Sequence, residues 1–369
     1  MPKKKIIIVD KKPPTAISLF SGMGGDSLGL KNAGFKIVAF NEFNKTAIES
    51  HKLNFPDCKL IGNEDDKYNI TKVTDNELLE YNGKIDLIFA GFPCQGFSHA
   101  GKKLPNDPRN TLFREFVRTT HLINPKYIIG ENVDALLKRL SDTGEAYINI
   151  IKQEFEKIGY KIYYQVLKAN NYNVPQERKR LIIVGIREDI NKEYKFPDKV
   201  SDYPNLIDII KFDLKGAIKI DKDHYNISTQ VPVESIMTDM NNDDTEDPND
   251  VHAFLKRQAT AKDFSYQGKT HKNLISFGKR GSPNHIEVIN LCKPSKTIIS
   301  SYDHQPRLFV AVKNKKGCYL RTLLVDELKQ IQGFPADYKI AGSWKEMVTQ
   351  IGNAVPPPMI EAVARQLLG

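Results

Sequence analysis

Ala16-Ile17-Ser18-Leu19-Phe20-Ser21-Gly22-Met23-Gly24-Gly25-Asp26 joins an apolar segment to a cluster of glycines and an acidic residue. Residues 16–20 are apolar enough for a buried strand, and Ser21 to Gly25 form a tight turn. Residues 26–33 read as a helix stopped by Gly34. A second strand is expected at 35–40, acidic Glu42 stands just past it, and a helix follows over 45–53. Strand, glycine turn, helix, strand and acidic residue is the order of a nucleotide-binding βαβ unit. Gly22, Gly24 and Gly25 are too closely spaced for the dinucleotide fingerprint, and no P-loop lysine follows, so phosphate binding is not implied. A carboxylate in the place of Glu42 can accept hydrogen bonds from both hydroxyls of a ribose. Adenosine is therefore the ligand that turn and carboxylate together fit best.

Strand and helix signals keep alternating along the chain. Strands are expected at 58–61, 85–90, 127–130, 160–167 and 181–186, and helices at 74–81, 110–122 and 145–158. Such alternation predicts an α/β fold, a Rossmann-like and mostly parallel sheet with helices on both faces. The strand at 85–90 runs into Gly91-Phe92-Pro93-Cys94-Gln95-Gly96-Phe97-Ser98. Open α/β sheets bind ligands at the carboxyl ends of their strands, and this turn puts a thiol there. Cys94 has two readings at this point: a small buried thiol, or a nucleophile whose surroundings stabilise the thiolate.

Past residue 187 the texture changes. Residues 190–300 are polar, rich in Asn, Asp and Lys, with an acidic run at 243–250 and a basic, aromatic stretch at Ser276-Phe277-Gly278-Lys279-Arg280-Gly281-Ser282. An apolar helical pattern returns at 323–331 and is broken by Gly333-Phe334-Pro335. Gln350-Ile351-Gly352-Asn353-Ala354-Val355-Pro356-Pro357 then leads into a last helix at 359–368. The expected division is a basic tail at 1–14, an α/β domain at 15–187, a smaller irregular domain at 188–300 and a return to the first domain at 301–369.

The 369 residues, 40% of them hydrophobic, are enough for one large core or two moderate ones. No run reaches the roughly 18 apolar residues of a membrane span. Lys3 to Lys5 precede only four apolar residues, so no signal peptide is read and a soluble, intracellular protein is expected. Cys58, Cys94, Cys292 and Cys318 lie far apart, which argues against a disulfide framework or a zinc site, and no metal is expected. A formal charge of +9 and a pI near 9.1 suit a polyanionic partner, although a solvated lysine-rich surface has the same balance.

Five motifs stand in one order: Phe20-Ser21-Gly22-Met23-Gly24-Gly25, Gly91-Phe92-Pro93-Cys94-Gln95, Glu131-Asn132-Val133, Gln176-Glu177-Arg178-Lys179-Arg180 and Gly352-Asn353-Ala354-Val355-Pro356. The set resembles the C5-cytosine DNA methyltransferase family, over residues 15–187 and 293–369. The resemblance implies a DNA (cytosine-5-)-methyltransferase using S-adenosyl-L-methionine on double-stranded DNA. It implies Cys94 as the thiolate that adds to C6 of cytosine, which makes C5 enamine-like and able to take a methyl group. Glu131 then matches the glutamate that engages N3 and the exocyclic amine; the alternative is a structural carboxylate paired with a nearby arginine. Arg180 matches the position that contacts O2, and Arg178 supports it.

For the cofactor, the resemblance places Phe20 and Glu42 beside the adenosine and Phe43 against the adenine ring. Gly22, Met23, Gly24, Gly25, Pro93, Leu112, Asn353 and Ala354 complete the expected contacts. Asn69-Ile70 stands where the family usually has an aspartate on the adenine amine, which implies weaker binding; Asp65 or Asp66 could substitute. A base in a duplex hides C6, so the target must flip out. Ser98, Lys102, Lys103 and Arg109 lie in the segment that resembles the loop closing over it. The region 188–300 would choose the sequence, with Lys279 and Arg280 as groove contacts. A restriction endonuclease acting on the same site is an implied partner, and a monomer the implied state. The alternatives are a tRNA cytosine methyltransferase on the same scaffold, a non-catalytic DNA-binding derivative, and a small-molecule methyltransferase. Against the first, Phe92 stands before Pro93-Cys94 where the tRNA enzymes tend to carry proline.

Overall fold

The computed structural model describes residues 12–93, 112–141, 143–200, 203–219, 233–241, 264–266, 269–271, 275–277, 286–303 and 306–369. The first half follows the expected alternation: β1 (Thr15–Leu19), α1 (Gly25–Ala33), β2 (Lys36–Asn41), α2 (Lys45–Asn54), β3 (Lys59–Leu60), α3 (Asp75–Leu79) and β4 (Leu87–Ala90). It continues with α4 (Leu112–Ile123), β5 (Tyr127–Asn132), α5 (Tyr147–Glu156), β6 (Tyr160–Lys168) and β7 (Lys179–Arg187). These seven strands form one sheet in the order β3-β2-β1-β4-β5-β7-β6. The β1–β2, β1–β4, β2–β3 and β4–β5 pairs are parallel, and β7 runs antiparallel to both β5 and β6. The chain moves outward from β1 to β3 and returns to the other side of β1 at β4. The strand order therefore reverses between β1 and β4, which opens a crevice at their carboxyl ends.

The second half contains β8 (Ile218–Lys219), β9 (Ile236–Thr238), β10 (Phe264–Tyr266), β11 (Lys269–His271), β12 (Ile275–Phe277), β13 (Ile286–Val288), β14 (Leu308–Asn314) and β15 (Gly317–Thr322). Its helices are α6 (Leu206–Ile209), α7 (Val325–Ile331), α8 (Trp344–Asn353) and α9 (Pro357–Leu368). A second sheet has the order β12-β13-β14-β15-β8, with β9 also on β14, while β10 and β11 pair by themselves. Strands β14 and β15 thus take residues 308–322 into the second sheet, past the limit of 300 expected from the change in texture.

Alternation along the buried strands decides which helices cover which face of the first sheet. Leu87 and Phe89 belong to one core with Leu30, Ala33, Ile360 and Val363 of α1 and α9. Ile88 and Ala90 belong to the other, with Phe113 and Phe116 of α4 and Ile151 and Phe155 of α5. Helices lie on both faces, as the alternation predicts. Local chemistry sets the helix ends. Gly34, at φ 109°, closes α1, and the Asn44 side chain accepts the Ala47 N–H at the start of α2. Among the described residues no helix is long and apolar enough to cross a membrane.

Helix α1 packs closely on α9. A Cβ added at Gly29 would lie 2.5 Å from the Pro357 carbonyl oxygen and 2.8 Å from Ile360 Cβ. Backbone occupies that space and cannot yield without moving a helix. Gly29→Ala should therefore destabilise the protein by about 1–3 kcal/mol in urea unfolding. Lys31→Ala, on the exposed side of the same helix, should stay within about 0.5 kcal/mol. Equal effects at the two positions would contradict this packing.

Candidate active site

The crevice between β1 and β4 is built first by the glycine turn. Phe20 leaves β1 with φ 55°, a left-handed conformation that costs a non-glycine residue about 1 kcal/mol or more and concentrates at functional sites. Gly22 is also left-handed, at φ 53°, and among the described residues nothing lies within 4 Å of where its Cβ would be. Its N–H donates to Glu42 Oε2 at 2.9 Å. Glu42 Oε1 accepts the N–H groups of Phe43 and Asn44 at 2.9 and 2.8 Å. A carboxylate offers about four lone-pair sites, so three amide donors leave room for one more. Burial pushes the Glu42 carboxyl above its ordinary range, against the pull of those amides.

Beside it the Phe43 ring is 70% exposed, a flat apolar face at the end of β2. Met23, Gly24 and Gly25 line the inner side of the turn. The Met23 carbonyl accepts a hydrogen bond from the Tyr338 hydroxyl. A Cβ on Gly25 would meet the Val355 carbonyl oxygen at 2.3 Å, so only glycine lets the 352–356 segment back onto the turn. In that segment Asn353 is exposed and Ala354 buried.

The third strand's loop is held against the same side. Asn41 Nδ2 donates to the carbonyls of Ile61 and Tyr68, at 3.0 and 2.9 Å. Asn69 is exposed and Ile70 buried. The Asn69 side-chain oxygen already accepts from the Thr71 N–H and hydroxyl, both at 3.1 Å. Its first task is thus to cap the short turn that follows. Asp65 and Asp66 are exposed in the preceding loop, where Asp66 pairs with Asn63.

Opposite the glycine turn, Gly91, Phe92 and Pro93 leave β4. Gly91 donates to the Leu19 carbonyl at 3.3 Å, and Asn132 Nδ2 donates to the Phe92 carbonyl at 3.1 Å. The antiparallel register sets Glu131 opposite Ile182, so Arg180 is its diagonal neighbour on the same face. Glu131 Oε1 and Arg180 Nε are 2.7 Å apart, both mostly buried. A Cβ at Gly91 would be 3.8 Å from Glu131 Oε2 and 3.8 Å from the Phe20 carbonyl oxygen. Acid, guanidinium and glycine turn therefore converge at the end of β4, three residues before Cys94. Cys94, Ser98, Lys102, Lys103, Arg109, Lys279 and Arg280 lie outside the described residues. Leu112 opens α4 and packs, partly buried, against the core of that face.

Arg178 does different work from Arg180. Its guanidinium is 1% exposed and donates to the carbonyls of Ile298 at 3.2 Å and Gly352 at 3.0 Å. Burial, aided by the neighbouring Arg180 charge and opposed by Glu131, holds it well below the ordinary arginine range. Gln176 adds a second tie that the sequence reading left without a role. Its Nε2 donates to Gln332 Oε1 at 2.6 Å, and its Oε1 accepts the Ile298 N–H at 3.0 Å. The Gln176–Arg178 segment thus fastens the start of β7 to the 298 loop and to the end of α8. The signal was the polar run itself, since a polar segment beside a buried strand must find internal partners.

Comparison with known proteins bears on this geometry. The family model described as C-5 cytosine-specific DNA methylase matches residues 15–369. The Type II methyltransferase M.PspPI of Psychrobacter is 33% identical over 95% of this chain and 78% of its own length. M1.HphI of Haemophilus parahaemolyticus, also a Type II methyltransferase, is 32% identical over 96% of this chain and 86% of its own. Among solved structures, DNMT2 of Spodoptera frugiperda shares the fold with a TM-score of 0.65 at 21% identity, covering 96% of this chain and 100% of that one.

The Glu42 arrangement has a direct consequence. In Glu42→Gln, Oε1 can keep Phe43 and Asn44, but the amide nitrogen then faces the Gly22 N–H, donor against donor. The variant should lose about 1–3 kcal/mol in thermal or urea unfolding. Wild-type stability in this variant would show that Gly22 is not held by the carboxylate.

Proposed function

Because the chain belongs to the C-5 cytosine-specific DNA methylases, and so is an enzyme that methylates cytosine in DNA, we propose that Cys94 is its nucleophile and S-adenosyl-L-methionine its methyl donor. The observation that carries this reading is the convergence of Glu131, Arg180 and the glycine turn on Gly91, just ahead of Cys94. The donor fits the residues present. The glycine turn at Gly22, the spare acceptor capacity of Glu42 and the exposed Phe43 ring suit a nucleoside bearing an amino-acid tail. Met23, Gly24, Gly25, Ile70, Pro93, Leu112, Asn353 and Ala354 would complete its surroundings. When bound, it supplies an electrophilic methyl group.

The chain's own residues would do the rest. The flipped cytosine enters beside Gly91, and the Cys94 thiolate forms a bond to C6. Electron density then moves toward N3 and O2. Glu131 meets N3 and the exocyclic amine, and Arg180 meets O2. The Glu131–Arg180 pair is preorganised for this, since each fixes the other's orientation before substrate arrives. After methyl transfer to C5, water takes the C5 proton and the electrons expel Cys94 from C6. Arg178, with its carbonyl partners, holds the start of β7 that carries Arg180.

Residues 188–300 are proposed to choose the target sequence, with Lys279 and Arg280 at the groove. Ser98, Lys102, Lys103 and Arg109 are proposed to meet DNA around the flipped base. A monomer acting beside a restriction endonuclease of the same specificity fits the Type II relatives.

The kinetic test uses two substitutions. Cys94→Ser should abolish methyl transfer while S-adenosylmethionine still binds, and full activity would remove Cys94 from the mechanism. Glu131→Gln should lower kcat by about 10²–10⁴-fold with little change in DNA affinity. Unchanged turnover there would show the acid to be misplaced.

A further inference from the structure

Two walls of the cofactor crevice are joined through one residue to which the reaction above gives no part. Asn41 ends β2, one position before Glu42, and is 2% exposed. Its backbone carbonyl accepts the Ser21 N–H of the glycine turn at 3.1 Å. Its side-chain nitrogen donates instead to the loop after β3, to the Ile61 carbonyl at 3.0 Å and the Tyr68 carbonyl at 2.9 Å. Carbonyl oxygens only accept, so the amide must present its nitrogen there, and both of its hydrogens are used.

That loop depends on being held. Strand β3 is two residues long, and its pairing with β2 ends where the Ile61 N–H donates to the Phe40 carbonyl at 2.8 Å. The chain then folds back on itself: the Tyr68 N–H donates to the Asn63 carbonyl at 2.8 Å and the Lys67 N–H to the Glu64 carbonyl at 2.9 Å. Lys67 and Tyr68 are both left-handed, at φ 53° and 55°. Residues with a Cβ disfavour that conformation, and it persists only where the surroundings fix it. Gly62 closes the loop from the other end, at φ 96°, where a Cβ would lie 3.2 Å from Tyr68 Cα. The bond from Asn41 thus fixes the second strained residue just where the chain enters Asn69-Ile70.

We propose that Asn41 is a positioning residue that selects the base of the cofactor. It sets the loop carrying Asn69 and Ile70 at the edge of the adenine ring, in step with the glycine turn that its own carbonyl holds. Without its two donors, the carbonyls of Ile61 and Tyr68 turn toward water, the left-handed pair relaxes and the 69–70 edge leaves the ring. A ligand that draws on that edge then binds only the fraction of molecules whose loop keeps its shape. A ligand whose ring edge does not match gains nothing from the loop and loses nothing with it.

This inference rests on the reading of the crevice as an S-adenosylmethionine site. The test is calorimetric binding of two ligands to the full-length protein, for wild type, Asn41→Leu and Asn41→Ser. One ligand is S-adenosylhomocysteine, the demethylated donor, and the other is its inosine counterpart. Hypoxanthine in place of adenine exchanges the ring-edge amine for a carbonyl oxygen and the N1 acceptor for an N–H donor, with ribose and amino-acid tail unchanged. Wild type should prefer the adenine ligand. In Asn41→Leu the Kd of S-adenosylhomocysteine should rise about tenfold while that of the inosine ligand stays within about twofold, so the preference collapses. Asn41→Ser, whose hydroxyl can keep one of the two carbonyls, should show a smaller collapse, and it decides the matter if Asn41→Leu does not fold.

Equal weakening of both ligands would mark Asn41 as a merely structural residue and overturn the inference. Unchanged binding of both, or a wild type without preference, would overturn it too, and all three results leave the cofactor reading intact. No binding of S-adenosylhomocysteine by wild type would overturn the cofactor reading, and this inference with it.

Discussion

The parallel pairing of β1 with β4 is the contact on which the rest depends. Ala16 to Leu19 pair with Leu87 to Ala90, so two strands far apart in sequence end side by side. Neighbouring connections leave that point in opposite directions, one toward β2 and the other toward β5. Among the described residues no strand of the sheet fills the gap between them. The turn after β1 and the turn after β4 face each other across it, which is why the Phe20 carbonyl and Glu131 both lie close to Gly91. Shifting the register by one residue would move every buried side chain of β1 to the wrong face and pull these turns apart.

Two kinds of polar contact hold the crevice in shape, and they act differently. Glu42 gathers three backbone amides around one carboxylate, which fixes the local path of the chain at modest distance from solvent. Gln176 and Arg178 instead reach across to Gln332, Ile298 and Gly352, which come from the second half of the chain. Their groups are buried, so any partner removed leaves a donor or acceptor unsatisfied. The Arg321–Glu327 pair, 2.7 Å apart and almost wholly buried, plays the same part between β15 and α7. Pairs of this kind add little net stability but are expensive to break singly, which suits a joint that must hold one arrangement.

Much of the first sheet was legible because its signals are local. A short, mostly apolar run, closely spaced glycines and a capped helix each announce themselves within a few positions. The reversed direction of β7 was not legible, since an apolar run carries no arrow. Helix α8 was missed although Ser343 and Glu346 form a capping box, a pattern readable three residues apart. The second sheet was hidden for another reason: several of its strands have only two or three residues, too few for a period. At the proposed site, Glu131, Arg178 and Arg180 were singled out from motif order and Glu42 from its place just past the second strand. What each one touches was not, because Arg178 bonds to carbonyls 120 and 174 residues away. The engaged oxygen of Asn69 likewise depended on Thr71 and on the turn between them.

Methylation of cytosine in DNA, with S-adenosylmethionine as the proposed donor, is open to a direct measurement. The purified protein and S-adenosylmethionine are incubated with unmethylated genomic DNA, which is then read by bisulfite sequencing. Cytosines protected from conversion within one short sequence context are the predicted result. Complete conversion at every site, in a protein that still binds the cofactor, would contradict it.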